Sequence, residues 1–361
     1  MTYFKEYQKY IINNFLSTFG KIFTVFLCLA FVLTIFEEIS FFKDIKISFL
    51  VPFFLTLLNI PSVLYEIFPF IFLISTQFFF IKLADRHELI ALKNFGLNNT
   101  KILKLISLTT FIIGILVVTI FYNASANMKF LYFEIKNNYT KDNKYLATIT
   151  ENGLWIKDEI NENTNIVNAQ KIEKNKIINV DILQFDPNFN LENIIYANEI
   201  DITSNIWKID NAIVSRYDGF EKNINDLEFP SNFSYEKISN LFSNLSSLNI
   251  LALKKVKKDY NAMNYSTTEI SSHMQKIFSY PIYLMIMTIL AGTIMMNIKY
   301  DKSKVFHLIF GILLSVLIYY IHYFLSTLGK NERIPILVSI WMPIILLTII
   351  SSIGLIRINE K

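Results

Sequence analysis

The sequence predicts an α-helical membrane protein of six transmembrane helices, with an all-β domain, a sandwich or an open jelly roll, inserted after the third and lying on the periplasmic side. Three observations predict it. The 361-residue chain is 53% hydrophobic, carries 33 Phe and is only 18% charged, whereas soluble domains are nearer 25% charged. Six stretches approach the roughly 20 apolar residues that cross a bilayer. A long polar segment of different periodicity separates the third stretch from the fourth. This composition excludes a soluble enzyme and a disordered chain. The single cysteine, Cys28, excludes an internal disulfide and a multi-thiolate metal site.

Taken in order, the apolar stretches are residues 16–36, 62–82, 102–122, 276–298, 305–328 and 334–356. The first is uncharged apart from Lys21, is followed directly by Glu37 and Glu38, and lacks a small-x-small cleavage site. It is expected to stay as an anchor rather than act as a cleaved signal. The Lys and Arg residues of the short flanks set the orientation. One side collects thirteen, from Lys5 through Lys82, Arg86 and Lys104 to Arg357 and Lys361, while the other has Lys43, Lys46, Lys330 and Arg333. Both termini are therefore expected in the cytoplasm of a bacterial inner membrane, with the insert in the periplasm. The domains follow as residues 1–122, 123–272 and 273–361.

Residues 123–272 carry 16 Lys/Arg and 20 Asp/Glu, a net of −4, which leaves +8 on the remainder of a chain whose total is +4. Short β-rich runs recur there between turn residues: YLATIT, GLWIKD, NTNIVNAQ, KIINVDILQF, NIIYANEIDI and NIWKIDNAIV. Such runs read as an antiparallel sandwich or open jelly roll. Helical spacing over residues 247–260, with Lys254, Lys255, Lys257 and Lys258, predicts a helix leading back to the membrane.

Chemistry-bearing motifs are sparse. There is no G-x-x-x-x-G-K-[ST], no H-E-x-x-H and no G-x-S-x-G. His87, His273, His307 and His322 are scattered without metal-ligand spacing. The chain is expected to bind no cofactor and to be no enzyme in itself. Glu66, between Pro61 and Pro69, is the one carboxylate within a span. It reads either as an interfacial, solvated residue or as a substrate contact.

The loop between the second and third spans is more informative. Glu88 to Lys93 favours helix, and Gly96 followed by Asn98 and Asn99 stops it. Leu89, Leu92 and Phe95 or Gly96 share a face at three-to-four spacing. A short amphipathic helix at residues 85–97, opening on Arg86 and Glu88, fits a groove on another protein as well as it fits an anionic lipid surface.

Here the residues resemble a family. Six spans, a large insert after the third, and an R-x-E-L-x-A-x-x-x-x-G loop helix running from Arg86 to Gly96 are similar to the LptF/LptG permeases of lipopolysaccharide export. Asn152-Gly153-Leu154-Trp155-Ile156-Lys157-Asp158 resembles the G-L-W-x-K-D strand of LptG. Ile206-Trp207-Lys208-Ile209 resembles its V-W-[RK]-L strand, and Met274 to Pro281 its approach to the fourth span. Pro61 and the Phe68-Pro69 pair also fall where that family places them.

The resemblance implies an ABC exporter subunit that draws lipopolysaccharide from the inner membrane and passes it to a periplasmic jelly-roll bridge. It implies four partners: an LptF-like permease, an LptB-like ATPase dimer that uses the ATP, an LptC-like jelly-roll protein, and lipopolysaccharide. No nucleic acid is expected. It makes Arg86, Glu88, Leu89, Leu92 and Gly96 the ATPase-coupling helix. Phe31, Ile35, Tyr319, Tyr320 and Phe324 become the wall of a lipid cavity, with Lys43, Lys46 and Glu66 near the head group. The chain departs from its relatives in placing Thr34 and Ser62 where they carry basic residues. The rival readings are the paralogous LptF subunit and an envelope scaffold or sensor with a binding ectodomain. A MacB-type permease has four spans with its insert after the first, unlike the layout here.

Overall fold

The computed structural model describes residues 6–43, 47–137, 139, 154–160, 163–173, 175–216, 221–235, 238, 244–262, 266–296 and 304–359. They form two compact units, residues 1–129 with 268–361 and residues 130–267. The fold is a helical membrane body with a β domain inserted between its third and fourth spans.

Among the described residues, six helical segments are long and apolar enough to cross a bilayer. Helices α1 (Glu6–Phe41) and α2 (Leu50–Asp85) begin the body. The loop helix α3 (Glu88–Asn94) leads to α4 (Asn99–Leu116), a π-helical turn (Val117–Phe121) and α5 (Tyr122–Asn137), which together make the third span. After the β domain and its helix α6 (Ile250–Ala262) come α7 (Thr268–Met296), α8 (Lys304–Lys330) and α9 (Ile336–Asn359).

The first two helices are longer than their apolar runs. Each has 36 residues, about 54 Å at 1.5 Å per residue, against a hydrocarbon core of about 30 Å. Pro61 and Pro69 lie inside α2 without ending it, because neighbouring helices and hydroxyls satisfy freed backbone groups in membrane helices. The third span likewise runs on past Tyr122, where the apolar stretch ends.

Phenylalanines zip α1 to α2. Phe15 meets Phe79 edge-on at 5.8 Å, Phe19 stacks on Phe72 at 4.6 Å, and Phe23 stacks on Phe68 at 5.8 Å. Further along, Phe31 meets Phe53 edge-on at 5.9 Å. Antiparallel order follows from the numbering, as one set rises and the other falls. Such pairs add about 0.5–1.5 kcal/mol each beyond their burial, which gives the high Phe content a structural use.

The body is centred on α2 and α7. In their most apolar windows 67% and 72% of residues are buried, against 11% in α1 and 17% in α8. Leu73 and Ile74 of α2 pack with Tyr283, Ile286, Met287 and Leu290 of α7, Ile318 of α8 and Ile344 of α9. Small residues let backbones close up, as membrane helices require without a strong hydrophobic drive between them. A Cβ on Gly114 would lie 2.8 Å from the Pro281 Cα, and one on Gly329 would lie 2.2 Å from the Ser339 Oγ.

The β unit is an antiparallel sheet of β1 (Leu154–Ile160), β2 (Asn163–Glu173), β3 (Lys176–Phe185), β4 (Leu191–Asp201), β5 (Ile206–Ile209), β6 (Ala212–Arg216), β7 (Glu221–Ile224) and β8 (Leu227–Pro230). Strands β1 to β4 form a meander of nearest neighbours. Register then shows that β5 and β6 are one strand with a break. Ile209 pairs Ile200 and Ile213 pairs Tyr196, a constant offset along β4. The same holds for β7 and β8 against them, with Ala212 opposite Ile224 and Ile209 opposite Leu227. Both breaks fall at one level, at Asn211 (φ +57°) and Asp226 (φ +56°), residues suited to the left-handed conformation.

One core fills the folded sheet, from Leu154 and Ile156 on β1 through Val180, Ile195 and Trp207 to Phe229 and Phe233. Buried Asp158 on β1 accepts hydrogen bonds from Ser231 Oγ (2.8 Å), Asn232 N (3.0 Å) and Asn232 Nδ2 (2.8 Å) just beyond β8. Trp207 Nε1 donates to the Phe233 carbonyl at 2.6 Å. First strand and last are thereby held together. The run YLATIT lies outside the described residues.

Candidate functional site

Three features of the membrane body have the makings of a site: the loop helix, a polar cluster at the opposite end, and two apolar helix faces. The loop helix follows His87, which takes a left-handed φ of +57° and lets the chain turn out of α2. At its other end Gly96, at φ +82°, closes the helix with its N–H on the Lys93 carbonyl at 2.9 Å, and Leu97 N–H reaches the Leu92 carbonyl at 3.1 Å. This is a glycine C-cap. Asn98 then caps α4 by accepting from Lys101 N–H at 3.2 Å.

Side chains on α3 divide by direction. Leu92 is buried in its own chain, as is Leu97, and Leu89 is half-buried. Outward stand Arg86, Ile90 at 41% exposure and Phe95 at 85%. The Arg86 Nη1 lies 3.7 Å from Glu88 Oε1, while Glu88 Oε2 is buried without a hydrogen-bond partner among the described residues. The predicted apolar stripe Leu89–Leu92 therefore seats the helix on its own body, and Ile90 with Phe95 makes the exposed tip. Sequence spacing offered Phe95 for the same stripe as Leu89 and Leu92 and passed over Ile90, because an inward stripe and an outward one share a period.

Near the middle of α2 lies Glu66, about 29 Å along the axis from Asp85 at 1.5 Å per residue, one bilayer thickness away. It is exposed. Around it, Lys129 Nζ donates to Ser62 Oγ at 2.8 Å, and Glu66 is near enough to Lys129 and Lys276 to interact with both. Tyr280 donates to the Tyr65 carbonyl and stacks on the Tyr65 ring at 4.5 Å. Tyr122 OH lies 2.9 Å from His273 Nε2. His322 stacks on Tyr283 at 5.3 Å. The π-helical turn ends at Tyr122, and such turns cluster at functional sites. Lys129 and Lys276 were not foreseen in the sequence. They stand one hundred and more residues apart in the chain, and only helix packing brings them to Glu66.

The third feature is what α1 and α8 leave uncovered. Leu29, Val32, Leu33 and Phe36 on α1, and Phe310, Leu313, Leu317, Tyr320 and Phe324 on α8, are all exposed. Of the predicted wall residues, Tyr319 is 54% exposed and Tyr320 and Phe324 are both 63% exposed. Phe31 and Ile35 are half-buried, Phe31 against Phe53. Lys43 is exposed beyond α1, and Lys46 lies outside the described residues.

Comparison with known families decides the assignment. The family described as lipopolysaccharide export system permease LptF/LptG matches residues 9–357, nearly the whole chain. The chain belongs to the LptF/LptG family. As a member it is an inner-membrane permease subunit of an ABC-type lipopolysaccharide exporter, and such a subunit is not itself an ATPase. No curated protein matches it. The LptF/LptG match spans both the helical body and the β insert, so the six helices and the sheet are parts of one transport subunit. The Ser62–Lys129 bond also brings a cation of the third span to Ser62, one of the two positions singled out in the sequence.

Proposed function

We propose that the chain is the LptG-like half of the exporter. It pairs with an LptF-like permease, couples through α3 to an LptB-like ATPase dimer that consumes the ATP, and hands lipopolysaccharide to an LptC-like jelly-roll protein. Leu154-Trp155-Ile156-Lys157-Asp158 on β1 supports the LptG side of the family over LptF. The asymmetry of flanking Lys and Arg supports cytoplasmic termini and a periplasmic β domain. The family match over residues 9–357 is the observation that carries the reading, and the exposed α1 and α8 faces supply the apolar surface it needs. Phe31, Ile35, Tyr319, Tyr320 and Phe324 line the acyl-chain side, and Glu66, Lys129, Lys276, Lys43 and Lys46 meet the head group.

The energetics require such a conduit. Exposing acyl chains to water costs about 0.8 kcal/mol per CH₂, so a multi-chain lipid needs a continuous apolar wall and an external energy source. Arg86, Glu88, Ile90, Phe95 and the Leu89–Leu92–Gly96 scaffold that seats them deliver the ATPase stroke. The test is Glu88→Arg in the assembled exporter. Retained copurification of the ATPase, with ATP turnover no longer tied to lipid release, is the expected result. Wild-type coupling in that variant overturns the role of α3.

A further inference from the structure

Helix α6 has two faces of opposite character. Leu253 and Val256 are fully buried, at 0% and 2% exposure, and Tyr260 packs against the β core. Asn249 caps the helix, its side-chain oxygen accepting from Ala252 N–H at 2.8 Å. The other face presents Leu251, 77% exposed, with Lys254, Lys255 and Lys258, all exposed. Their spacing of three, four and seven from Leu251 places them on a single stripe. Among the described residues, Lys254 and Lys258 form no ion pair. Packing explains the buried face and leaves Lys254 and Lys258 without a structural use.

Charge argues for an anionic occupant. Residues 123–272 are net acidic, yet 4 of their 16 Lys/Arg fall within residues 254–258. A solvated surface needs no such concentration, because like charges on adjacent turns repel. Position in the chain argues for the identity of that occupant. Only residues 263–267 separate α6 from α7, the fourth membrane-crossing helix. The six Cα–Cα steps from Ala262 to Thr268 span no more than about 22 Å in any conformation.

We propose that the Leu251–Lys254–Lys255–Lys258 stripe is a docking surface for the anionic phospholipid head groups of the leaflet that α7 enters. The lysines hold the phosphates and Leu251 dips into the interface between them. This rests on the chain being a membrane protein and is independent of which cargo it carries.

The full chain is tested in nanodiscs, with Cys28→Ser and Leu251→Cys carrying an environment-sensitive NBD label. In discs containing phosphatidylglycerol the label blue-shifts relative to discs of phosphatidylcholine alone, and 1 M salt reverses the shift, since the screening length falls to about 3 Å. Each lysine replaced by Gln lowers the docked-to-undocked ratio roughly fivefold, and Lys254→Arg with Lys258→Arg retains it. The Arg variant separates loss of charge from loss of fold. Equal emission in the two disc types overturns the proposal. So does a shift seen in phosphatidylcholine discs only on adding lipopolysaccharide, which makes the ligand the cargo, or only on adding an acidic partner protein.

Discussion

Single carboxylates tie down the β unit, and Asp201 does so in a way that depends on pH. Asp201, at the end of β4, accepts from both Thr203 Oγ1 (2.5 Å) and Thr203 N–H (2.9 Å). The two bonds favour its ionised form, so its pKa is held below the ordinary aspartate value. Because the folded pKa is depressed, the stabilisation is present above the unfolded value of about 3.9 and is lost as pH falls through the folded one. Thr203→Val removes the hydroxyl and keeps the N–H. At pH 7 this variant of the full chain should unfold at a lower temperature than wild type, and the gap should close as pH drops below about 4. Trp207 fluorescence, with Trp155 and Trp341 replaced by Phe, reads the β unit alone. A gap that persists unchanged at low pH removes the hydroxyl–carboxylate bond as its cause. Little of this was legible in the sequence. Asp201-Ile202-Thr203 reads as an ordinary strand end, whereas Trp207 is marked as a core residue by the alternation around it.

At the scale of elements the sequence is far more transparent, because periodicity is a backbone property that burial preserves. Strand β3 occupies the predicted run KIINVDILQF, and α6 follows the helical spacing after Ser247. Strands β7 and β8 escaped notice, since EKNI and LEFP are four residues each and carry too few apolar positions to show alternation. Helix ends were also hidden: charge and proline mark where apolar runs stop, not where hydrogen bonding stops. Contacts between elements are least legible, and Gly114 on Pro281 is the clearest case. A Cβ there would meet backbone rather than a yielding side chain, so Gly114→Ala should destabilise the α4–α7 pair by about 1–3 kcal/mol. Gly20, with open space around it, gives the control: Gly20→Ala should leave the detergent melting temperature of the purified chain unchanged or raise it slightly, Ala being the better helix former. Equal melting temperatures for the two variants would remove close α4–α7 packing as a source of stability.

For the whole molecule, the decisive quantity is apolar surface that folding leaves uncovered. Helices α2 and α7 spend their side chains on one another, while α1 and α8 turn theirs away. Exposed apolar faces need no explanation when lipid covers them, so exposure alone does not separate a lipid-facing helix from a cargo wall. Aromatic content does not separate them either, since the phenylalanines on the inner side of α1 serve the zipper with α2. The two possibilities part on what lies against each face during transport. A photoreactive p-benzoylphenylalanine at Tyr320 or Phe324 should yield lipopolysaccharide or permease adducts in the assembled exporter, and the yield should change when ATP is supplied. The same label at Ile349 on α9, also exposed, should yield phospholipid adducts that ATP leaves unaltered. A wall that works by differential contact must show that difference. Identical adducts at all three positions, with or without ATP, would return the α8 face to the bulk bilayer and leave the cargo path to the partner permease.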